Sequence, residues 1–438
     1  MPPPSVEAVR STPRECHEEC HDLEDSAASQ TVLHPSFARK SLPMNALAKV
    51  LDLPQAEKIK NGLLYTPAEI AQQPATWPST FSLFQKRRAE LVEFLNHAGF
   101  GDPVGPRPIV FLIGAGTSNY IGRSLVNVFR RQWKCEVLAI PSTSLLTHFE
   151  EWLIPGRRYL WISFSRSGDS PEGVSVLEKA LANHPEICHI VVSCNAEGRM
   201  IRCVAGKNNA FAVTLDDAVN DRGLAMTSSF SNMVVFGQCL ANVHNLSPYE
   251  PILDRLVEAG RTFLPRAADA AAELAAGPYN KVCFLGSGAL EGVSVESALK
   301  VLELTAGRIL TMSESAMGLR HGPMAALDDT TLLVVFLSSS ESVARYENDL
   351  LQELTRKQLV KTRIAVAGHS ALPLDGLVDR CLSPETRIPV PDDCRPPVDV
   401  MFGQLLGLFF SMRCKLMPDR PSPNGVISRV VQSFKIYT

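Results

Sequence analysis

The sequence predicts an α/β protein: two tandem doubly wound parallel sheets, each flanked by helices, with a helical N-terminal arm. Three observations carry this. Short continuous apolar runs, such as 109–113 and 331–337, are too short for helices and fit strands buried on both faces. They alternate with runs of helical period, the βαβ pattern of a parallel sheet. The succession of strand, small-residue loop and helix occurs twice, in two similar halves of roughly 150 residues. That period is far too long for a solenoid, and duplication of one domain is the simpler reading.

Residues 1–43, rich in Pro, Ser, Glu and His, read as a flexible extension. They contain Cys16-His17 and Cys20-His21, but ligands packed so closely do not surround one metal tetrahedrally, so no metal site is expected. Residues 44–107 read as a helical arm. Apolar positions recur at steps of three and four over 46–51 and 81–98, before Gly99, Gly101, Pro103 and Pro106 stop the pattern. The first α/β domain, 108–250, holds strands at 109–113, 136–140, 159–164, 189–193 and 209–214, with helices between and a last helix over 227–245. The second, 251–398, opens on a helix over 251–276. Its strand 281–285, Gly286-Ser287-Gly288-Ala289 and helix to Leu304 echo the start of the first. Strand 331–337 and its serine loop echo 159–164, and 364–367 is a further strand. The stretch after Gly307 reads as a polar loop. Residues 399–438 read as a helix and an irregular tail. Its run 400–412 is too short to cross a bilayer and contains Gln404, so it is a core helix.

Composition narrows the function classes. The chain has 438 residues and a net charge of −3, with no basic excess to meet a phosphate backbone, so no nucleic-acid partner is expected. Eleven cysteines without repeating spacing, in so long a chain, point to free thiols and a reducing, cytoplasmic setting. No apolar signal-like run follows the start, and no membrane association is expected.

Two kinds of site stand out. In open parallel sheets ligands bind beyond the carboxyl ends of the strands. Gly116-Thr117-Ser118 lies there and opens a helix, where free amides attract an anion. Ser165-Arg166-Ser167-Gly168-Asp169-Ser170 lies there too, offering three hydroxyls and a guanidinium. One such loop is equally a helix N-cap; two in one sheet favour a phosphate cradle over the cap reading. Gly114 and Gly116 lack the third glycine of a dinucleotide fingerprint, since position 119 is Asn119, and no nucleotide P-loop motif is present. The second site is 299–325. Lys300 and Glu303 lie one helical turn apart, and His321-Gly322-Pro323 follows. On its own this reads equally as a solvated Lys-Glu face and a loop histidine. It is also the set of groups that proton transfer at a sugar carbon requires.

At GAGTS (114–118), SFSRSGDS (163–170) and ALKVLELTAG (298–307) through LRHGP (319–323), the sequence resembles the sugar isomerase (SIS) family. NDRGLAMTSSFSNM (220–233) and NGVISRVVQSFKIYT (424–438) look most like its galactosamine-6-phosphate deaminase/tagatose-6-phosphate ketose-aldose isomerase group. The resemblance covers about residues 44–438. It implies two SIS domains, a sugar-phosphate substrate, no cofactor and at least a homodimer. It implies phosphate binding by Ser118, Ser165, Ser167 and Ser170, with Thr117 and Arg166 alongside. It implies catalysis by Glu303, with Lys300 and Glu296 on the same motif, and ring opening by His321 reaching in from a neighbouring subunit. Related synthases keep a lysine near the C-terminus, where Arg429 stands here with Lys435 beyond; arginine does not readily release its proton or form an imine. The implied reaction is deaminating isomerisation of an amino-sugar phosphate. A ketose/aldose isomerase without deamination and a non-catalytic sugar-phosphate sensor stay open as alternatives.

Overall fold

The structure, a computed structural model, describes residues 44–102, 105–369, 371–431 and 434–437. The extension 1–43, with Cys16, His17, Cys20 and His21, lies outside the described residues. The arm begins with α1 (Ala46–Leu51), where the Asn45 side chain accepts from the Ala48 amide at 3.0 Å as an N-cap. After α2 (Gln55–Asn61) comes α3 (Thr66–Leu95), which passes into a π-helical turn, Asn96–Phe100. α3 starts well before residue 81, where the periodicity becomes clear, and runs through Pro74 and Pro78. Proline removes a helical donor. Here the Ile70 carbonyl, four residues before Pro74, accepts instead from Gln73 Nε2 at 3.0 Å. This local repair lets the helix continue where the sequence signals a break.

The first sheet alternates β1 (Ile109–Gly114), α4 (Thr117–Trp133), β2 (Val137–Pro141), α5 (Ser142–Thr147), β3 (Tyr159–Ser165), α6 (Pro171–Asn183), β4 (Cys188–Ser193), α7 (Arg199–Val204), β5 (Ala210–Thr214) and α8 (Ser228–Ala241). All its strands are parallel, in the order β2-β1-β3-β4-β5. The second follows with α9 (Glu250–Ala276), β6 (Lys281–Gly286), α10 (Ala289–Leu304), β7 (Leu310–Ser315), β8 (Thr331–Leu337), α11 (Glu341–Lys357), β9 (Thr362–Ala367), β10 (Arg380–Leu382) and α12 (Pro396–Arg413). Its order, β7-β6-β8-β9-β10, is the same pattern. The expected polar loop after Gly307 is therefore partly a strand: β7 pairs with β6 from Leu310 to Ser315. As an edge strand it is only half covered, so LTMSES lacks the continuous apolar run that marks the inner strands.

The two sheets face each other across a double layer of helices. α4 packs on β1 and β2, α10 on β6 and β7, and α4 meets α10 directly. That crossing is close because Gly292 has no side chain: a Cβ there would lie 2.7 Å from the Ser124 amide nitrogen. α8 and α12 complete the layer; every residue of α8 is buried, and α12 is apolar nearly all round. The largest apolar cluster fills this space and extends to the arm through Trp77 and Phe84.

Candidate functional site

In this strand order the chain leaves β1 and β3 in opposite directions, opening a crevice at their carboxyl ends. A cavity of about 120 Å³ lies there, lined by Ser118, Ser142, Ser163, Ser165, Arg166, Ser167, Ser170 and Glu172, with Met226 and residues 429–431 of the tail. The helix after β1 starts hard against the strand, since a Cβ on Gly114 would lie 2.3 Å from the Ser118 carbonyl carbon. The serine loop is shaped by its own hydroxyls. Ser165 Oγ accepts from the Gly168 amide at 3.0 Å and Ser167 Oγ from the Asp169 amide at 3.2 Å. Asn195 Nδ2 holds the Ser167 carbonyl at 2.9 Å. Ser142 Oγ, Arg166 Nε and Glu172 Oε2 are buried with no hydrogen-bond partner among the described residues. The cavity thus presents amides, hydroxyls and a guanidinium, a setting for an anion such as phosphate, with the Glu172 carboxylate the one described lining group that opposes it.

Next to it α10 carries the acid–base cluster. Lys300, wholly buried, donates to Glu303 Oε2 at 2.6 Å and to Thr117 Oγ1 at 2.9 Å, and lies 3.3 Å from Glu296 Oε1. Thr117 in turn donates to Glu296 Oε1 at 3.2 Å. Burial pulls the Lys300 pKa down, but the two carboxylates more than offset this and hold it above the usual lysine value. Burial pushes Glu296 up to about 8, against the pull of Lys300 and with the push of Glu303. One buried ammonium supports one buried carboxylate, so the deeper Glu296 keeps its proton. Glu303, with its side chain one-quarter exposed, is the member that reaches solvent.

The structure brings together Ser118, Ser165, Ser167 and Ser170 around the cavity, and Glu296, Lys300 and Glu303 on one helix face. Two of the residues expected at the phosphate stand differently. Thr117 turns its hydroxyl into the acid–base cluster, because it begins α4 where that helix meets α10. Its neighbour Ser118 faces the cavity, so cluster and cradle are one residue apart, about 3.8 Å along the chain. Arg166 spends both terminal nitrogens on carbonyls: Nη1 donates to Gly223 and Leu224 at 3.2 and 3.0 Å, and Nη2 to Arg429 at 2.6 Å. Its Nε is buried with no hydrogen-bond partner among the described residues. His321 follows a short turn, Gly318–Arg320; it is exposed, and its side chain joins no hydrogen bond or ion pair among the described residues. Arg429 lies on the cavity wall. The sequence reading did not single out Ser142 and Glu172. Ser142 follows β2 at a strand's carboxyl end, as Ser118 follows β1, and that placement was its one available signal.

The fold and this paired cradle and acid–base cluster define a phosphosugar-handling α/β protein of the sugar isomerase type. No family model matches the chain. It is 34% identical over 377 residues to D-galactosamine-6-phosphate deaminase AgaS of Escherichia coli, spanning 85% of this chain and 95% of that protein. It is 31% identical over 382 residues to the deaminase of that name from Shewanella sp., spanning 86% and 92%. A solved structure of tagatose-6-phosphate ketose/aldose isomerase from Escherichia coli is 32% identical and superimposes with a TM-score of 0.74 over 82% of this chain and 95% of that one. The chain belongs to the galactosamine-6-phosphate deaminase AgaS family of enzymes.

Proposed function

We propose that the protein converts galactosamine 6-phosphate to tagatose 6-phosphate and ammonia. The observation that carries this is the buried Glu296–Lys300–Glu303 cluster beside an anion cavity, joined to it through consecutive Thr117 and Ser118. The cavity holds the phosphate, and that remote binding places the reacting carbons at α10. His321 assists opening of the sugar ring. In the open aldehyde, Glu303 takes the proton from C2 and returns it to C1. With a proton passing from the amine nitrogen to the aldehyde oxygen, the C2 amine becomes an imine and C1 a hydroxymethyl carbon. Water adds to the imine, and ammonia leaves a ketose. Lys300 pairs with Glu303 and holds it in place, while Glu296 and Thr117 fix Lys300. These steps need only side-chain proton transfer, so the reading includes no cofactor and no metal. It takes the enzyme as a cytoplasmic homodimer in which the exposed His321 serves a neighbouring subunit's site.

Free ammonia released from galactosamine 6-phosphate, with glucosamine 6-phosphate in parallel, tests the assignment. Ammonia from the galacto substrate supports it; none from either excludes it. Glu303→Gln should keep binding of inorganic phosphate while turnover falls by roughly a thousandfold or more, the scale of a lost general base. Near-normal turnover in that variant would sink the role of Glu303. The isomerase named among the solved relatives motivates the second reading. Conversion of tagatose 6-phosphate to an aldose, with no ammonia from amino sugars, is the outcome that selects it.

A further inference from the structure

The C-terminal tail reaches the cavity through a reciprocal contact between two arginines. Arg166, in the serine loop, is 6% exposed and donates through Nη2 to the backbone carbonyl of Arg429 at 2.6 Å. Arg429 answers from the tail. Its Nε donates to the Asp221 carbonyl at 2.6 Å and its Nη2 to Asn220 Oδ1 at 2.5 Å. The same segment, 220–224, supplies the Gly223 and Leu224 carbonyls that Arg166 Nη1 holds. Three pieces of chain far apart in sequence are thus tied in a ring: serine loop to tail, tail to 220–221, and 223–224 back to the serine loop. Asp221 anchors that segment. Its carboxylate takes the amides of Thr227, Ser228 and Ser229 at 2.8–3.0 Å, capping α8. The Glu69 carboxylate takes the Gly223 amide from the other side, at 3.2 Å.

We propose that Arg429 is a positioning residue, which with Arg166 fixes residues 429–431 as one wall of the phosphate cavity and carries no proton in the reaction. Its Nε and Nη2 end on a backbone carbonyl and an amide oxygen, and an arginine does not readily release the proton that a carrier must pass on. The proposal deepens the phosphosugar reading and rests on it only in taking the cavity as the phosphate site. Position 429 acts through the loop it holds, so its loss should weaken binding of the phosphate end and spare the chemistry at C1 and C2.

The test uses the full chain with Arg429→Ala, Arg429→Lys and Arg166→Lys, each checked by thermal melting. With galactosamine 6-phosphate, Arg429→Ala should raise KM roughly tenfold and lower kcat no more than roughly threefold, the scale of losing hydrogen bonds from one charged group. The pH profile of kcat should stay in place. Arg429→Lys should fall between Arg429→Ala and the unchanged protein, because a lysine reaches one of the two acceptors and not both. Amide deuterium uptake supplies a readout independent of turnover. In all three variants segments 220–224 and 428–431 should exchange faster together, and saturating inorganic phosphate should slow both in the unchanged protein. A kcat loss above roughly a hundredfold at unchanged KM, or a shifted basic limb of the pH profile in Arg429→Lys, would make Arg429 a proton carrier and overturn the proposal. Faster exchange confined to one of the two segments would overturn the interlock. If no sugar phosphate is turned over, the deaminase reading fails, while the exchange data still decide whether the tail is clamped.

Discussion

Lys300 has two carboxylates within reach in a dry site, and the balance among the three sets their behaviour. Glu296 titrates near 4.5 when unfolded and near 8 when folded. Between those values the folded state binds more protons than the unfolded one, so this group costs stability as pH rises from about 4.5 to about 8, and the cost is complete above that. Glutamine mimics the protonated acid. Glu296→Gln should therefore melt a few degrees below the unchanged protein, or level with it, at pH 5, and gain on it steadily toward pH 9. Melting curves of the two proteins across that range check the sign; a constant difference would mean that Glu296 does not hold a proton in the fold. The spacing of Lys300 and Glu303 on one helix turn was legible in the sequence, and so was the strand-end placement of the serines. That Thr117 joins the cluster, and that Arg166 faces carbonyls more than the cavity, was not. Those contacts join residues 183 and 263 positions apart, which no local pattern encodes.

At the scale of elements, the two sheets share one strand order, and each offers a serine loop after its third strand, yet the donors of the two loops are met differently. In the second, the Asp392 carboxylate binds the loop. It accepts from Ser338 Oγ at 2.6 Å and from the Ser339 amide at 2.9 Å. Glu347 takes the Ser338 amide at 2.9 Å and Ser287 Oγ at 2.7 Å. The chain's own carboxylates satisfy the donors that would hold a phosphate. Ser165→Ala should accordingly raise KM for the sugar phosphate. Ser338→Ala should leave KM unchanged and cost stability, about 1–3 kcal/mol for a lost charge-assisted bond. Steady-state kinetics with denaturant melts separates the two, and a raised KM in Ser338→Ala would show that the second loop takes part in binding. The inner strands were readable because burial on both faces demands continuous apolar residues. The edge strand β7 was not, since half of it faces away from the core. α3 was masked by Pro74 and Pro78, and the carbonyl orphaned by Pro74 is met by Gln73. Gln73 also donates to Gln404 on α12 at 2.7 Å, so Gln73→Leu should strand two buried acceptors and cost about 2 kcal/mol or more in the same melts.

For the whole molecule, the position of His321 bears on how sites are assembled. In one chain it is exposed and bonds to no member of the Lys300 cluster among the described residues, whereas Glu303 sits on α10 with its side chain one-quarter exposed. Between α10 and the edge strand β7 runs a groove lined by Leu299, Leu302 and Met312 together with Arg123, Glu291 and Glu314, and Leu302 and Leu310 expose 42% and 60% of their surface. An unpaired sheet edge with exposed leucines beside it is costly to leave in water and suits a second copy of the chain. If the dimer forms across this side, each site takes Glu303 from one subunit and His321 from the other. Glu303→Gln and His321→Asn would then be inactive alone for different reasons, and mixing them would rescue activity. Random re-pairing makes half the dimers hybrids. Each hybrid carries one site with both defects and one with neither, so the mixture should recover about a quarter of the unchanged activity. If His321 instead serves its own chain, every site in every hybrid keeps one defect, and no mixing ratio restores turnover. Unfolding the two variants together, refolding them and assaying ammonia release therefore separates a shared site from a self-contained one, with sedimentation of the same sample confirming that dimers had formed.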